Sequence, residues 1–174
     1  MTVGDNPARA FGMAASDRAN ALAIKAGLEP AREAGEGRST LYADLNWAWD
    51  PEWLVALAET PGQTLTKHGQ PVLAHVPAGG DPAAVLTAML SDGRYEGGVL
   101  ESVDADTADF SYRKLRKRDR PFVMRLDPAD PEPVERAAYD ASYKGVTDIL
   151  TLYLWRRSRL YFTPLGGAGG PGPR

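Results

Sequence analysis

Helix-forming and strand-forming runs alternate along this chain, and the helical runs carry their own start and stop signals, which narrows the fold to a sheet layered with helices. The first helix opens at Ser16, an N-cap residue, carries Ala19, Leu22, Ala23 and Ala26 on one side, and closes at Gly27. Asp50-Pro51 and Asp81-Pro82 then repeat one device. The carboxylate caps the helix, and proline takes the first helical position, where its missing N–H would have had no partner anyway. Trp49 is placed to staple onto Leu54 across the first of these caps, so that helix should run to about Pro61-Gly62. In the second, Val85, Leu86, Met89 and Leu90 mark the inward stripe and Gly93 lies past the last turn. A fourth helix is predicted over 131–143 with Val134, Ala137, Ala138 and Ala141 inward; beyond Gly145 a fifth aligns Val146, Ile149, Leu150, Tyr153 and Leu154.

β-rich runs separate these helices at 39–45, 63–66, 71–76, 98–102 and 121–126. Alternation of this kind predicts an α/β fold with a largely parallel sheet and helices on both faces. His68-Gly69, between two strand runs, predicts a tight hairpin and therefore at least one antiparallel pair.

A chain of 174 residues is long enough for one self-sufficient core, and with no cysteine it has neither disulfides nor thiol chemistry. Its net charge of -3 and pI near 5.4 argue against a nucleic-acid partner. Positive charge is concentrated all the same, at Arg113, Lys114, Arg116, Lys117, Arg118 and Arg120 and again at Arg156, Arg157 and Arg159. A basic face of this kind seeks phosphate or anionic lipid. No apolar run approaches the roughly 18 to 20 residues that span a bilayer, and Met1 to Asp5 lacks the character of a signal peptide, so a cytoplasmic protein is expected.

His68 and His75 are the only histidines and no nucleophile-elbow serine accompanies them, so a hydrolytic triad has no support. His75, alternating with Leu73, reads as a structural residue. Trp47, Trp49 and Trp53 cluster around a helix start and read as core, whereas Trp155, followed by Arg156-Arg157, has the pattern of an interfacial anchor.

Three groups of residues carry a family resemblance. The first is Gly4-Asp5-Asn6-Pro7-Ala8-Arg9 with Phe11-Gly12-Met13 and Ser16-Asp17-Arg18; the second is Tyr42-Ala43-Asp44 followed by Asp50-Pro51. The most distinctive is the third, Phe110 to Arg118, Arg120-Pro121-Phe122-Val123 and Ala141-Ser142-Tyr143-Lys144-Gly145-Val146-Thr147-Asp148. Together they resemble the nucleotidyltransferase-like domain that precedes the membrane domain in some bacterial CDP-alcohol phosphatidyltransferases. The catalytic Asp-Gly-x-x-Ala-Arg pattern of that family is missing: Asp92-Gly93 is the sole Asp-Gly pair and continues Arg94-Tyr95.

The resemblance implies a GT-A-like, Rossmann-related α/β domain over 1–144. A juxtamembrane-type amphipathic helix over 145–160 and a disordered Gly/Pro-rich tail over 161–174 follow it. It further implies nucleotide or phosphate contacts from Gly4, Asn6, Arg9 and Arg18, and Asp44 as the ligand of a Mg2+ ion carried with CTP or a CDP-alcohol. Pro7 deprives the loop of one N–H donor, which weakens a phosphate cradle. Arg113, Lys114, Arg116, Lys117 and Arg118 would form a basic face toward phosphate or lipid. The implied partners are a membrane phosphatidyltransferase domain or the anionic inner face of the plasma membrane, with nucleotide as ligand. The implied role is a degenerate nucleotidyltransferase-like domain serving phospholipid headgroup synthesis. An active CTP:alcohol-phosphate cytidylyltransferase and a non-enzymatic interaction module are the alternatives.

Overall fold

Five strands form the central sheet in the order β1, β4, β7, β6, β8. They are β1 Thr2–Val3, β4 Thr40–Asp44, β6 Gln63–Lys67, β7 Gln70–Val76 and β8 Glu101–Asp104. Two short ribbons flank it: β2 Arg9–Ala10 with β3 Met13–Ala14, and β5 Trp47–Trp49 with β9 Val123–Arg125. The helices are α1 Ala15–Lys25, α2 Pro51–Ala58, α3 Ala83–Leu90 and α4 Glu132–Ser142. This computed structural model describes residues 1–35, 37–108 and 120–142. Met1–Ala141 make up one compact unit.

The fold is mixed α/β with helices on both sheet faces, as the alternation predicts, but the sheet is less parallel than expected. β1 pairs β4 and β6 pairs β8 in parallel, whereas β4–β7 and β7–β6 are antiparallel. The reason lies in the connections. β6 reaches β7 through the two-residue turn His68-Gly69, which forces reversal, and both turn residues have positive φ (53° and 82°). This is the backbone of a type I′ hairpin, whose twist matches that of the flanking strands.

Period-two alternation divides the apolar residues of the sheet between two cores. Tyr42, Ala74 and Val76 pack with Val85, Ala88 and Met89 of α3 on one face. Ala43, Leu65 and Leu73 pack with Trp53, Leu54 and Leu57 of α2 and with Ala15 and Ala19 of α1 on the other, and Val134 of α4 joins this second core.

The helix signals are largely realised. Asp50 accepts the Glu52 N–H at 3.0 Å with Pro51 opening α2, and Asp81 accepts the Ala83 N–H at 2.9 Å. Trp49 and Leu54 share a core cluster. Gly27, at φ +78°, ends α1, with Leu28 N–H bonding Ala23 C=O at 2.9 Å. Two details differ. Ser16 lies inside α1, whose entry residue Ala14 has no side chain able to cap, because the chain leaves β3 straight into the helix. Leu90 is exposed rather than inward, as it stands at the last position of α3, beyond the edge of the sheet-facing stripe. Strands β1, β2, β3 and β5 lay outside the predicted runs, and the predicted 98–102 strand forms at Glu101–Asp104. The predicted fifth helix, the 161–174 tail and the cluster Arg113, Lys114, Arg116, Lys117 and Arg118 fall outside the described residues.

The hairpin gives a direct test. A Cβ on Gly69 would come within 2.9 Å of the Arg94 guanidinium, a flexible group that can move away, so backbone strain sets the cost. Gly69→Ala should lower stability by about 1–2 kcal/mol in urea unfolding, while His68→Asn, which tolerates positive φ, should leave it unchanged or higher.

Candidate functional site

β1 and β4 lie in parallel with Val3 opposite Asp44, so the loop that leaves β1 and the turn that leaves β4 emerge side by side at the carboxyl ends of the strands. Ligands of open α/β sheets gather at such ends, because loops there are free to diverge while the strands hold them in register. Gly4 begins the first loop at φ +78°, and a Cβ on it would stand 3.9 Å from Asp44 Oδ1, an ordinary contact. The glycine is thus required by its backbone angle rather than by crowding.

Asn6 fixes the path of that loop. Its Nδ2 donates to Leu45 C=O at 3.1 Å and to Leu126 C=O at 3.0 Å, and its Oδ1 accepts the Ala8 N–H at 2.9 Å. The residue is buried, and one side chain therefore ties the β1 loop to both the β4 turn and the end of β9.

Asp44 is 1% exposed, and its Oδ1 accepts the Asn46 N–H at 2.9 Å, a turn closed by the carboxylate on its own chain two residues on. Burial pushes its pKa up to about 6, against the opposing pull of the Asn46 N–H and the nearby Arg125; Asp92 adds to the rise. Arg125, from the end of β9, donates two hydrogen bonds to the Asp92 carboxylate, each 2.5 Å, and stands over the Trp47 ring at 5.2 Å from its centre. The pair holds the Asp92 carboxyl below its usual range and the guanidinium above its own. Asp92 occupies a left-handed turn at φ 56°, and its C=O accepts from Gln70 Nε2 at 2.6 Å, so the exit of α3 is moored to the site.

Between the β1 loop and the segment after β9 lies a cavity of about 250 Å³, walled by Asp5, Asn6, Asn46, Arg125 and Asp127 among others. Asp44 does not line it; it acts on the walls through Asn46 and through the field at Arg125. With one guanidinium already paired, and with Asp5 and Asp127 on the walls, the cavity offers more acceptors than cations. It suits a ligand rich in hydroxyl and amino donors.

The structure gathers three of the residues singled out from sequence, Gly4, Asn6 and Asp44, and separates two. Arg9 Nε and Nη2 donate to Gly12 C=O at 3.2 and 2.8 Å across the β2–β3 turn. Arg18 donates to Trp49 C=O at 3.3 Å; burial draws its pKa down and Asp50 draws it back up. Neither arginine lines the cavity. The residues missed were Asn46, Asp92 and Arg125. A cation closing the 121–126 strand run was a readable sign for Arg125, but its pairing with Asp92 depends on the loop after α3.

As a holder of Mg2+ the donor set is thin. Asp44 is buried with one oxygen committed to Asn46, and among the described residues no three histidines or acids converge. Among the described residues no helix is long and apolar enough to cross a membrane. Comparison with protein-family models, with curated proteins and with solved structures found no match.

Two outcomes follow. Asn6→Ala should cost about 2–3 kcal/mol in chemical unfolding, since it orphans buried carbonyls and an N–H; Asn6→Asp, of equal size, should cost at least as much because an acceptor would face two carbonyls. Asp44 binds its proton more tightly in the folded chain than in the unfolded one. Its contribution is therefore fully present below pH 4 and lost as pH rises through about 6. Asp44→Asn should be the more stable protein at pH 7, by up to about 3 kcal/mol, with the advantage vanishing toward pH 4 in parallel unfolding curves.

Proposed function

We propose that this chain is a nucleotidyltransferase-like domain of GT-A type that binds a cytidine nucleotide or a CDP-linked alcohol without turning it over, in the service of phospholipid headgroup synthesis. The observation that carries the reading is the convergence of Gly4, the Asn6 clamp and buried Asp44 at the carboxyl ends of parallel β1 and β4, beside a polar cavity. In this reading the wall acceptors take the ribose hydroxyls and the cytosine amino group, and Arg125 faces the phosphate end. Binding rests on these groups rather than on a metal. Arg9 and Arg18 are engaged with backbone carbonyls, which fits binding without catalysis.

Residues 110–118 and 141–148 supply the link to a membrane phosphatidyltransferase. Their likeness to the segment entering such a membrane domain supports a domain that works at an anionic inner membrane surface, with the basic cluster from Arg113 to Arg118 toward phosphate.

Thermal unfolding with CTP, CDP and a CDP-alcohol tests the ligand. Stabilisation by about 2.7 kcal/mol is expected at a hundredfold excess over Kd, and Asp5→Ala combined with Asp127→Ala should abolish it, the unliganded protein losing about 1 kcal/mol because the Ala129 N–H loses its Asp127 acceptor. An absence of any stabilisation at millimolar ligand would contradict nucleotide binding, and pyrophosphate release from CTP with an alcohol phosphate would replace it with the active cytidylyltransferase.

A further inference from the structure

β7 sends its side chains alternately to the two faces of the sheet. Ala74 and Val76 join the α3 core, whereas Leu73 joins the core of α1 and α2, and His75 turns the same way, bonding to Leu57 of α2. On that side, near the starts of β1 and β4, lies a cavity of about 440 Å³, within the range of roughly 300–1,000 Å³ that small-molecule sites occupy. Ala19 and Ala23 of α1, Leu41 of β4, Leu54 and Ala58 of α2, and His75 all border it, and Leu41 is the cross-strand partner of His75. The rim is polar and carries both signs of charge, since Asn20, Glu29, Glu33 and Arg38 border the cavity and are exposed.

His75, 6% exposed, is the one titratable side chain in the buried part of this lining. Its Nδ1 stands 2.6 Å from Leu57 C=O. A carbonyl only accepts, so Nδ1 carries the hydrogen of this bond, and in the neutral ring Nε2 is left as a lone-pair acceptor. Among the described residues nothing donates to Nε2. The sealed side-chain nitrogens without partners among those residues are the indole nitrogens of Trp47 and Trp49; Nε2 is not one of them and therefore keeps an opening to accessible space. On the α1 and α2 side of β7 that space is the cavity. Buried acceptors are nearly always paired, and one held open at a cavity wall calls for a donor that enters the cavity.

We propose that this cavity binds a small, uncharged amphipathic molecule through a hydroxyl group that donates to His75 Nε2. The apolar part of the ligand packs on Ala19, Leu41 and Leu54, and its polar substituents meet the rim, where carboxylates and a guanidinium together favour neither sign of ligand charge. The site shares no residue with the cavity beside Asn6 and does not rest on the nucleotide reading.

A suitable probe is para-tert-butylphenol, which is neutral at pH 7, and its methyl ether, which lacks the donor, is the control. Calorimetric titration of the full chain should show saturable binding of the phenol, roughly tenfold tighter than the ether. Nitrogen NMR of labelled histidine rings should show His75 with a protonated Nδ1 and a bare Nε2, and the Nε2 signal should move upfield with the phenol and not with the ether. His75→Asn, whose amide keeps a donor for Leu57 C=O but has no counterpart of Nε2, should erase the preference for the phenol. Ala23→Phe, which fills the space from α1, should abolish binding of both probes while His75 keeps its Nδ1-protonated pattern. No saturable binding of the phenol up to its solubility limit, a proton on Nε2 in the free chain, or phenol binding that leaves the Nε2 signal in place would each overturn the site. So would a preference for the phenol that survives His75→Asn, or binding indifferent to Ala23→Phe. Should either variant fail to fold, the Nε2 signal of the unaltered chain decides alone.

Discussion

A single amide side chain organises the part of this molecule that can meet a ligand. Asn6 spends both amide hydrogens on carbonyls 39 and 120 residues away and its oxygen on a nearby N–H, all within the buried interior. Backbone bonds already join the strand ends, Leu45 N–H to Val3 C=O and Leu126 N–H to Asn46 C=O, and Asn6 adds the side-chain tie that brings the β1 loop to both. With it they share one frame, which the parallel β1–β4 pairing orients and the β5–β9 ribbon closes. The two bonds reach across the sequence from the first strand to the last, so the frame forms only when the whole fold has formed.

Electrostatics inside that frame follow from geometry. Asp44 sits where the strand runs out and the core begins, so its carboxyl is desolvated before any neighbour acts on it, and burial outweighs the Asn46 N–H and the Arg125 charge. Arg125 is shared: it pairs with Asp92, lies over Trp47 and reaches Asp44 only through its field. The exposed Arg125–Asp92 pair adds little stability by itself. Its importance is positional, because it holds a cation on the cavity wall and anchors the turn after α3.

Local chemistry made much of the fold readable. Asp50-Pro51 capped and opened α2 as written, Gly27 closed α1, and His68-Gly69 turned the chain between β6 and β7. What escaped was non-local. A two-residue strand such as Thr2–Val3 has too few residues to show alternation, and it exists only because β4 accepts it. Trp47–Trp49 read as core packing, correctly, but all three residues are buried, so no period-two pattern revealed β5. The site divides the same way. Asp44 stood at the end of a predicted strand run and Gly4 and Asn6 came only with the family resemblance, whereas Arg9 and Arg18 found closer carbonyl partners in the β2–β3 turn and at Trp49. Asp92 and Arg125 meet only through tertiary structure.

The central claim is that the carboxyl ends of β1 and β4 form a donor-accepting ligand site coupled to a buried Asp44. Carbon-detected NMR of the aspartate carboxyls across pH, with and without CTP, tests it most directly. A midpoint near 6 for Asp44 in the free protein, moving further upward when the CTP phosphates offset the Arg125 charge that draws it down, is the expected result. A midpoint in the ordinary aspartate range, unmoved by nucleotide, would contradict the account.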